Sequence, residues 1–254
     1  MTEGAAYVPT TWSVQARNLP EHARNPIHTD VGARAAGFSA AIVPGVTVYA
    51  YLTRPVVDAW TVRWLQRGGA LVEFASPVYA DDLVDCVPSV NEGHLEVQAT
   101  VSNEVRAKCT AWLTVPDAIR PVRSFHEPLE SESVTLVNEW ADYGQRAGED
   151  LGLYAELGIV HPAVWPALAN YAVERQLVNG PWIHVRSRIL HHGTAAVGAT
   201  ADVDAIVVDR FDTRVGSRVI LDVSVSVDGK QVATIEHEAI IALHPAAKSP
   251  SRSS

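Results

Sequence analysis

His28 is the residue of this chain best suited to moving a proton. It sits in Asn25-Pro26-Ile27-His28-Thr29-Asp30, followed by Ala33-Arg34-Ala35-Ala36-Gly37-Phe38 and then Ile42-Val43-Pro44-Gly45. An imidazole has an ordinary pKa near neutrality, so it can serve as base and acid within one cycle. Asn25 can orient the loop and the imidazole through its amide, and Pro26 fixes the turn. Gly45 heads an apolar run that reads as a helix. The first N–H groups of a helix are unpaired and lie at the positive end of its dipole, where they suit charge developing on a carbonyl oxygen. Without a side chain, Gly45 lets such a carbonyl come close. The plainer alternatives are a solvated loop histidine and a Pro-Gly pair that only starts a helix. Asp30 is expected to cap the short helical turn Val31–Ala36.

This order of residues resembles the hydratase motif of the MaoC-like proteins, hotdog-fold (R)-specific enoyl-CoA hydratases and their relatives. The family pattern reads Asp-x-Asn-Pro-x-His, in which the Asp and the His hold the catalytic water. Asn25, Pro26 and His28 match it, and Ala23 stands where the Asp would be. The resemblance implies that His28 is the acid/base, Asn25 the orienting group and Gly45 N–H the oxyanion donor. Alanine cannot carry the Asp's share of the proton traffic, which leaves three alternatives. Glu21, two residues upstream and one carbon longer, fills the space as a second base; His22 serves instead; or the site holds an acyl thioester, or another apolar ligand, without hydrating it. Pro44 is a second departure, since many family members have His-Gly where this chain has Pro44-Gly45. Tyr49, one turn past Gly45, is expected to line the pocket, with His22 and Pro44 as further substrate contacts.

The elements that position these residues occur twice. Thr10–Ala16 alternates like a strand, and the motif loop leads into Gly45–Trp60, too apolar for a surface helix and therefore read as enclosed. Strand-like runs follow at Ala70–Pro77, Leu83–Val90, His94–Val101 and Ala107–Val115, with Asn91-Glu92-Gly93 as a hairpin turn. In the second half Ser133–Trp140 reads as a strand and Ala163–Val178 as the apolar helix. Trp182–Leu190, Ala199–Val208, Arg218–Val227 and Gln231–Leu243 complete it, with Asp228-Gly229 as the hairpin signal. Two strand–helix–four-strand units predict an α+β double hotdog in which two antiparallel sheets pair edge to edge and each wraps a long helix. The expected organisation is a first hotdog over residues 1–117, a linker over 118–130, a second hotdog over 131–245 and a disordered tail over 246–254. Ile159-Val160-His161-Pro162 aligns with Ile42-Val43-Pro44-Gly45, but Pro162 has no N–H to donate, so one site per chain is expected.

Composition sets the outer limits. The chain has 254 residues, 47% hydrophobic and 19% charged, with a net charge of −9. That balance suits a globular protein and disfavours nucleic acid, whose phosphates require a basic face. No run approaches a membrane span, and no signal peptide is evident, so a cytoplasmic protein is expected. Cys86 and Cys109 lack metal spacing and read as buried small hydrophobes. Trp60, Trp64, Trp165 and Trp182 read as core or interface anchors. The remaining histidines, among them His184, His191, His192, His237 and His244, show no metal-ligand spacing and read as surface or satisfied groups. No cofactor or metal is expected. The expected partner is a small-molecule acyl thioester, on CoA or on acyl carrier protein, and a homodimer is left open.

Overall fold

The computed structural model describes residues 8–113 and 125–244. The expected tail lies outside the described residues, and so does the expected linker as far as residue 124. In the first half the strands are β1 (Trp12–Gln15), β2 (Gly69–Phe74), β3 (Leu83–Asn91), β4 (His94–Val101) and β5 (Glu104–Trp112). In the second they are β6 (Glu127–Pro128), β7 (Glu132–Thr135), β8 (Ile183–His191), β9 (Thr200–Asp212), β10 (Gly216–Val227) and β11 (Lys230–Leu243). All join one antiparallel sheet in the order β1-β3-β4-β5-β2-β8-β11-β10-β9-β6, with β7 also beside β9.

The seam is β2 against β8, in register from Gly69 opposite Leu190 to Glu73 opposite Arg186. Either half alone would end there in a row of unpaired N–H and C=O groups, and the pairing satisfies both edges at once. Two of the connecting hairpins turn on pairs with positive φ, Glu92-Gly93 and Asp228-Gly229, which matches the right-handed twist of the strands they join.

The helices are α1 (Asp30–Ala35), α2 (Gly45–Trp60), α3 (Val62–Arg67), α4 (Tyr143–Arg146), α5 (Leu153–Leu157) and α6 (Val164–Gln176). The long α2 packs on β3, β4 and β5, α6 packs on β8 to β11, and the two helices touch each other. Every residue of α2 from Val46 to Thr53 is buried, as a run with no polar face requires. Cys86 and Cys109 are free and buried on the sheet beneath it. Trp64, Trp165 and Trp182 are core residues, and Trp60 is partly buried against the same core. Among the described residues no helix is long and apolar enough to cross a membrane.

Two local expectations are corrected. The strand expected over Ser133–Trp140 stops at Thr135, and Asn138–Trp140 forms a 3-10 turn instead. That turn aims the Trp140 carbonyl at His161 N–H, a bond that a continued strand would not make. Asp30 is not the cap of the first short helix. Thr29 is, its hydroxyl accepting from Gly32 N–H at 3.2 Å, while the Asp30 carboxylate accepts from Ala41 N–H at 2.9 Å and closes the loop that leads to α2.

Candidate active site

A cavity of about 580 Å³ opens beside the seam, within the range of small-molecule sites. Asn25, His28, Pro44 and Gly45 line it from the first half, and Trp140, Leu168, Trp182 and His184 from the second. Most of its wall is apolar, with polar residues from the motif loop (Glu21, His22, Asn25 and His28) and from the second half (Asn170, Glu174, His184 and Arg218).

The loop is held by Asn25. Its side-chain Nδ2–H donates to the Trp182 carbonyl at 2.8 Å, and its Oδ1 accepts from Ile27 N–H at 3.4 Å. The first bond crosses to the second half, and the second caps a 3-10 turn over Pro26–His28. This buried amide therefore sets both the place and the direction of His28.

His28 Nδ1 lies 2.7 Å from the Ile42 carbonyl. A carbonyl only accepts, so Nδ1 carries the proton and the lone pair of the neutral ring is on Nε2. No partner for Nε2 is found among the described residues, and the ring lines the cavity. Burial holds the His28 pKa down at about 4, with the Ile42 bond pulling it up and neighbouring His22 pushing it down. His28 is therefore neutral at ordinary pH, with its acceptor nitrogen free.

Gly45 opens α2 behind Pro44. The backbone bonds of the first turn begin with Thr47 and Val48 N–H, both to the Pro44 carbonyl, and no acceptor for Gly45 N–H is found among the described residues. A Cβ at Gly45 would stand 3.1 Å from His184 Nδ1 and 3.1 Å from two ring carbons of Phe74, so the absent side chain lets these two rings pack close against the start of the helix.

His22 also lines the cavity, with its ring centroid 6.1 Å from that of His28. Its Nε2 is 2.8 Å from the Tyr143 hydroxyl, which is 2.7 Å from the Thr47 hydroxyl in the first turn of α2. Burial, then the charge of Arg146, holds the His22 pKa at about 4. Tyr143 belongs to the second half, so the halves share this site; nothing in the sequence around Tyr143 marks it.

Other expected residues fall elsewhere. Glu21 is at the cavity rim with both oxygens 2.8 Å from Arg146 Nη2, an ion pair that competes with any role as a base. Ala23 is exposed and is not part of the wall. Tyr49 does not line the cavity. It is completely buried on the sheet side of α2, where desolvation raises its pKa well above the ordinary value. The spacing from Gly45 is one helical turn, but that face of the helix points into the core.

His184 and His237, expected as surface or satisfied groups, are of the second kind, and His184 also lines the cavity, which the sequence did not mark. Both are buried, and Ser187 Oγ bridges them, 2.8 Å from His184 Nε2 and 2.8 Å from His237 Nδ1. Their pKa values are lowered, by burial first and then by neighbouring groups, to about 3 for His237. Cross-strand register brings them together, His237 opposite Ser187 and Ala239 opposite His184, and linear spacing carries no trace of it. In the second half His161 and Glu149 sit 3.4 Å apart, fully buried and away from the cavity wall. Among the described residues no three His, Cys, Asp or Glu side chains converge to hold a metal ion.

The fold defines a double hotdog protein, and the cavity described above lies at the junction of its halves. No protein-family model matches the sequence, and no curated protein matches it. Solved structures do match. A conserved hypothetical protein from Mycobacterium tuberculosis, described as a double hotdog fold, superposes with a TM-score of 0.65 at 10% identity, covering 92% of this chain and 96% of its own. A proposed MaoC domain dehydratase from Chloroflexus aurantiacus J-10-fl gives 0.64 at 10% identity over 94% and 96%. A 12:0-ACP thioesterase from Umbellularia californica gives 0.51 at 8% identity over 93% and 98%. At these identities the likeness establishes the double hotdog architecture.

Proposed function

We propose that this protein is an acyl-thioester hydro-lyase, adding water to a 2-enoyl thioester or removing it from a 3-hydroxyacyl thioester. The observation that carries this reading is His28: Nδ1–H is spent on the Ile42 carbonyl, so the free Nε2 lone pair faces an apolar cavity beside the open start of α2. In hydration His28 Nε2 takes a proton from water as the water oxygen bonds to the β-carbon. The negative charge on the thioester oxygen is met by Gly45 N–H. The protonated His28 then returns its proton to the α-carbon, so the net change is one H and one OH added. Dehydration is the reverse. Above about pH 5 the neutral base form predominates, and hydration slows as pH falls through about 4. The acyl carrier is CoA or acyl carrier protein.

A second reading, a hotdog that binds acyl thioesters without hydrating them, has its own support. Among the described residues no carboxylate is hydrogen-bonded to His28: Glu21 is paired with Arg146 and Ala23 faces solvent. A base with a pKa near 4 is also weak. The experiment is hydration of 2-butenoyl-CoA and longer 2-enoyl-CoA esters by the wild type and His28→Gln, with free thiol followed in the same reaction. Hydration that falls roughly 10²–10⁴-fold in His28→Gln supports the hydro-lyase. Binding without turnover supports the second reading, and thiol release in place of hydration overturns both.

A further inference from the structure

The hydroxyl chain behind His22 has only one consistent direction. Thr47 is fully buried, and the sole hydrogen-bond partner of its hydroxyl among the described residues is Tyr143. Helical threonines commonly donate back to a carbonyl one turn earlier, as Thr53 does to Ala50 at 2.7 Å. For Thr47 the carbonyl three residues back is that of Pro44, already taken by two backbone N–H groups. A buried hydroxyl proton left without an acceptor is costly, so Thr47 O–H donates to the Tyr143 oxygen. Tyr143, also buried, has His22 as its other partner and donates its own proton to His22 Nε2. The His22 proton is then on Nδ1, for which no protein acceptor is found among the described residues.

The two cavity histidines thus present opposite faces. His28 offers a lone pair on Nε2, and His22 offers an N–H on Nδ1. We infer that the pair grips a single hydroxyl oxygen, which accepts from His22 Nδ1–H and donates its own proton to His28 Nε2. The oxygen belongs to the attacking water or to the 3-hydroxyl group of a 3-hydroxyacyl thioester. Two hydrogen bonds of about 2.8 Å to one oxygen place the nitrogens some ~4.5 Å apart, which two rings with centroids 6.1 Å apart can reach. His22 does not transfer the proton: losing Nδ1–H would leave an anion, because Nε2 already accepts from a phenol that stays protonated. It holds the oxygen, His28 moves the proton, and Tyr143 and Thr47 are positioning residues that fix the His22 tautomer. The burial that keeps both rings neutral keeps this arrangement intact across ordinary pH.

The tautomer claim stands on geometry alone, while its catalytic consequence rests on the function proposed above, so the test has separate arms. Imidazole nitrogen shifts of 15N-histidine-labelled protein at pH 7 should show His22 in the Nδ1–H form, and Tyr143→Phe should return it toward the commoner Nε2–H form. His28 should keep its Nδ1–H signature in both. A wild-type His22 carrying its proton on Nε2 overturns the inference outright, whether or not Tyr143→Phe folds. In the activity arm Tyr143→Phe should lower kcat for hydration about tenfold with KM changed less than twofold; an unchanged kcat removes His22 from the reaction. If the wild type hydrates nothing, binding decides. 3-Hydroxybutyryl-CoA should bind at least tenfold tighter than butyryl-CoA to wild type, and the advantage should vanish in His22→Phe. Equal binding by the two esters overturns the shared-oxygen site while leaving the tautomer result in place.

Discussion

Replacing Gly45 by alanine adds one methyl group at the point where α2 opens to the cavity. That carbon would stand 3.1 Å from His184 Nδ1 and from two ring carbons of Phe74, against an ordinary contact of about 3.5–4.0 Å. The overlap of about 0.4 Å is shared among side-chain atoms of two rings, which can yield by small rotations, at a cost of roughly 1 kcal/mol. Alanine in a helix regains about 0.5–1 kcal/mol over glycine, and Gly45 shows no positive φ that alanine would have to strain to adopt. Stability should therefore change by less than about 1 kcal/mol. On the function proposed above catalysis should change far more, because the methyl group and the Phe74 and His184 rings it displaces all belong to the cavity wall and crowd a thioester at the Gly45 N–H. Loss of one oxyanion donor is worth about 10²–10³ in kcat. Thermal melts and hydration rates on the same preparation separate the two effects. Activity within twofold of wild type would refute the assignment of Gly45. So would a melt lowered by several kcal/mol alongside the lost activity, which would make the glycine a packing requirement only.

Asn25→Ala should destabilise the protein by about 1–3 kcal/mol in chemical denaturation, because it strands the Trp182 carbonyl and uncaps the turn that carries His28; a change under about 0.5 kcal/mol would mean that other contacts hold the loop. Stability should fall as pH drops from about 6.5 to about 4. His22 and His28 are depressed to about 4 and His191 and His237 to about 3. In that window the unfolded chain therefore binds more protons than the native one, and the stability present above the unfolded pKa is lost. Over that window each such ring accounts for at most about 3.4 kcal/mol, and a urea midpoint that stays flat from pH 7 to pH 4.5 would contradict their burial as neutral groups. Ala23→Asp should leave hydration within twofold of wild type, because position 23 is exposed and off the cavity wall. A tenfold gain would mean that the loop rearranges to bring that side chain in.

Hydrophobic periodicity and turn chemistry carried most of the architecture. The first long helix begins and ends where its apolar run does, from Gly45 to Trp60, and β4 spans the residues whose alternation marked it. The hairpins at Glu92-Gly93 and Asp228-Gly229 were legible because only certain residues take positive φ cheaply. Asn25, His28, Pro44, Gly45 and His22 were legible as neighbours, and they line one cavity, because they lie within about twenty residues of one another, where sequence proximity and spatial proximity coincide. The tertiary structure alone decided the rest. Trp182, Tyr143 and His184 reach the site from more than ninety residues away, through a seam between β2 and β8 and a helix-to-helix contact that no linear spacing encodes. The same packing turned Tyr49 into the core, tied Glu21 to Arg146 and fixed which nitrogen of His28 bears its proton. Residue type specifies that an imidazole can give or take a proton. Which of the two it does depends on the partner that the fold places against its other nitrogen.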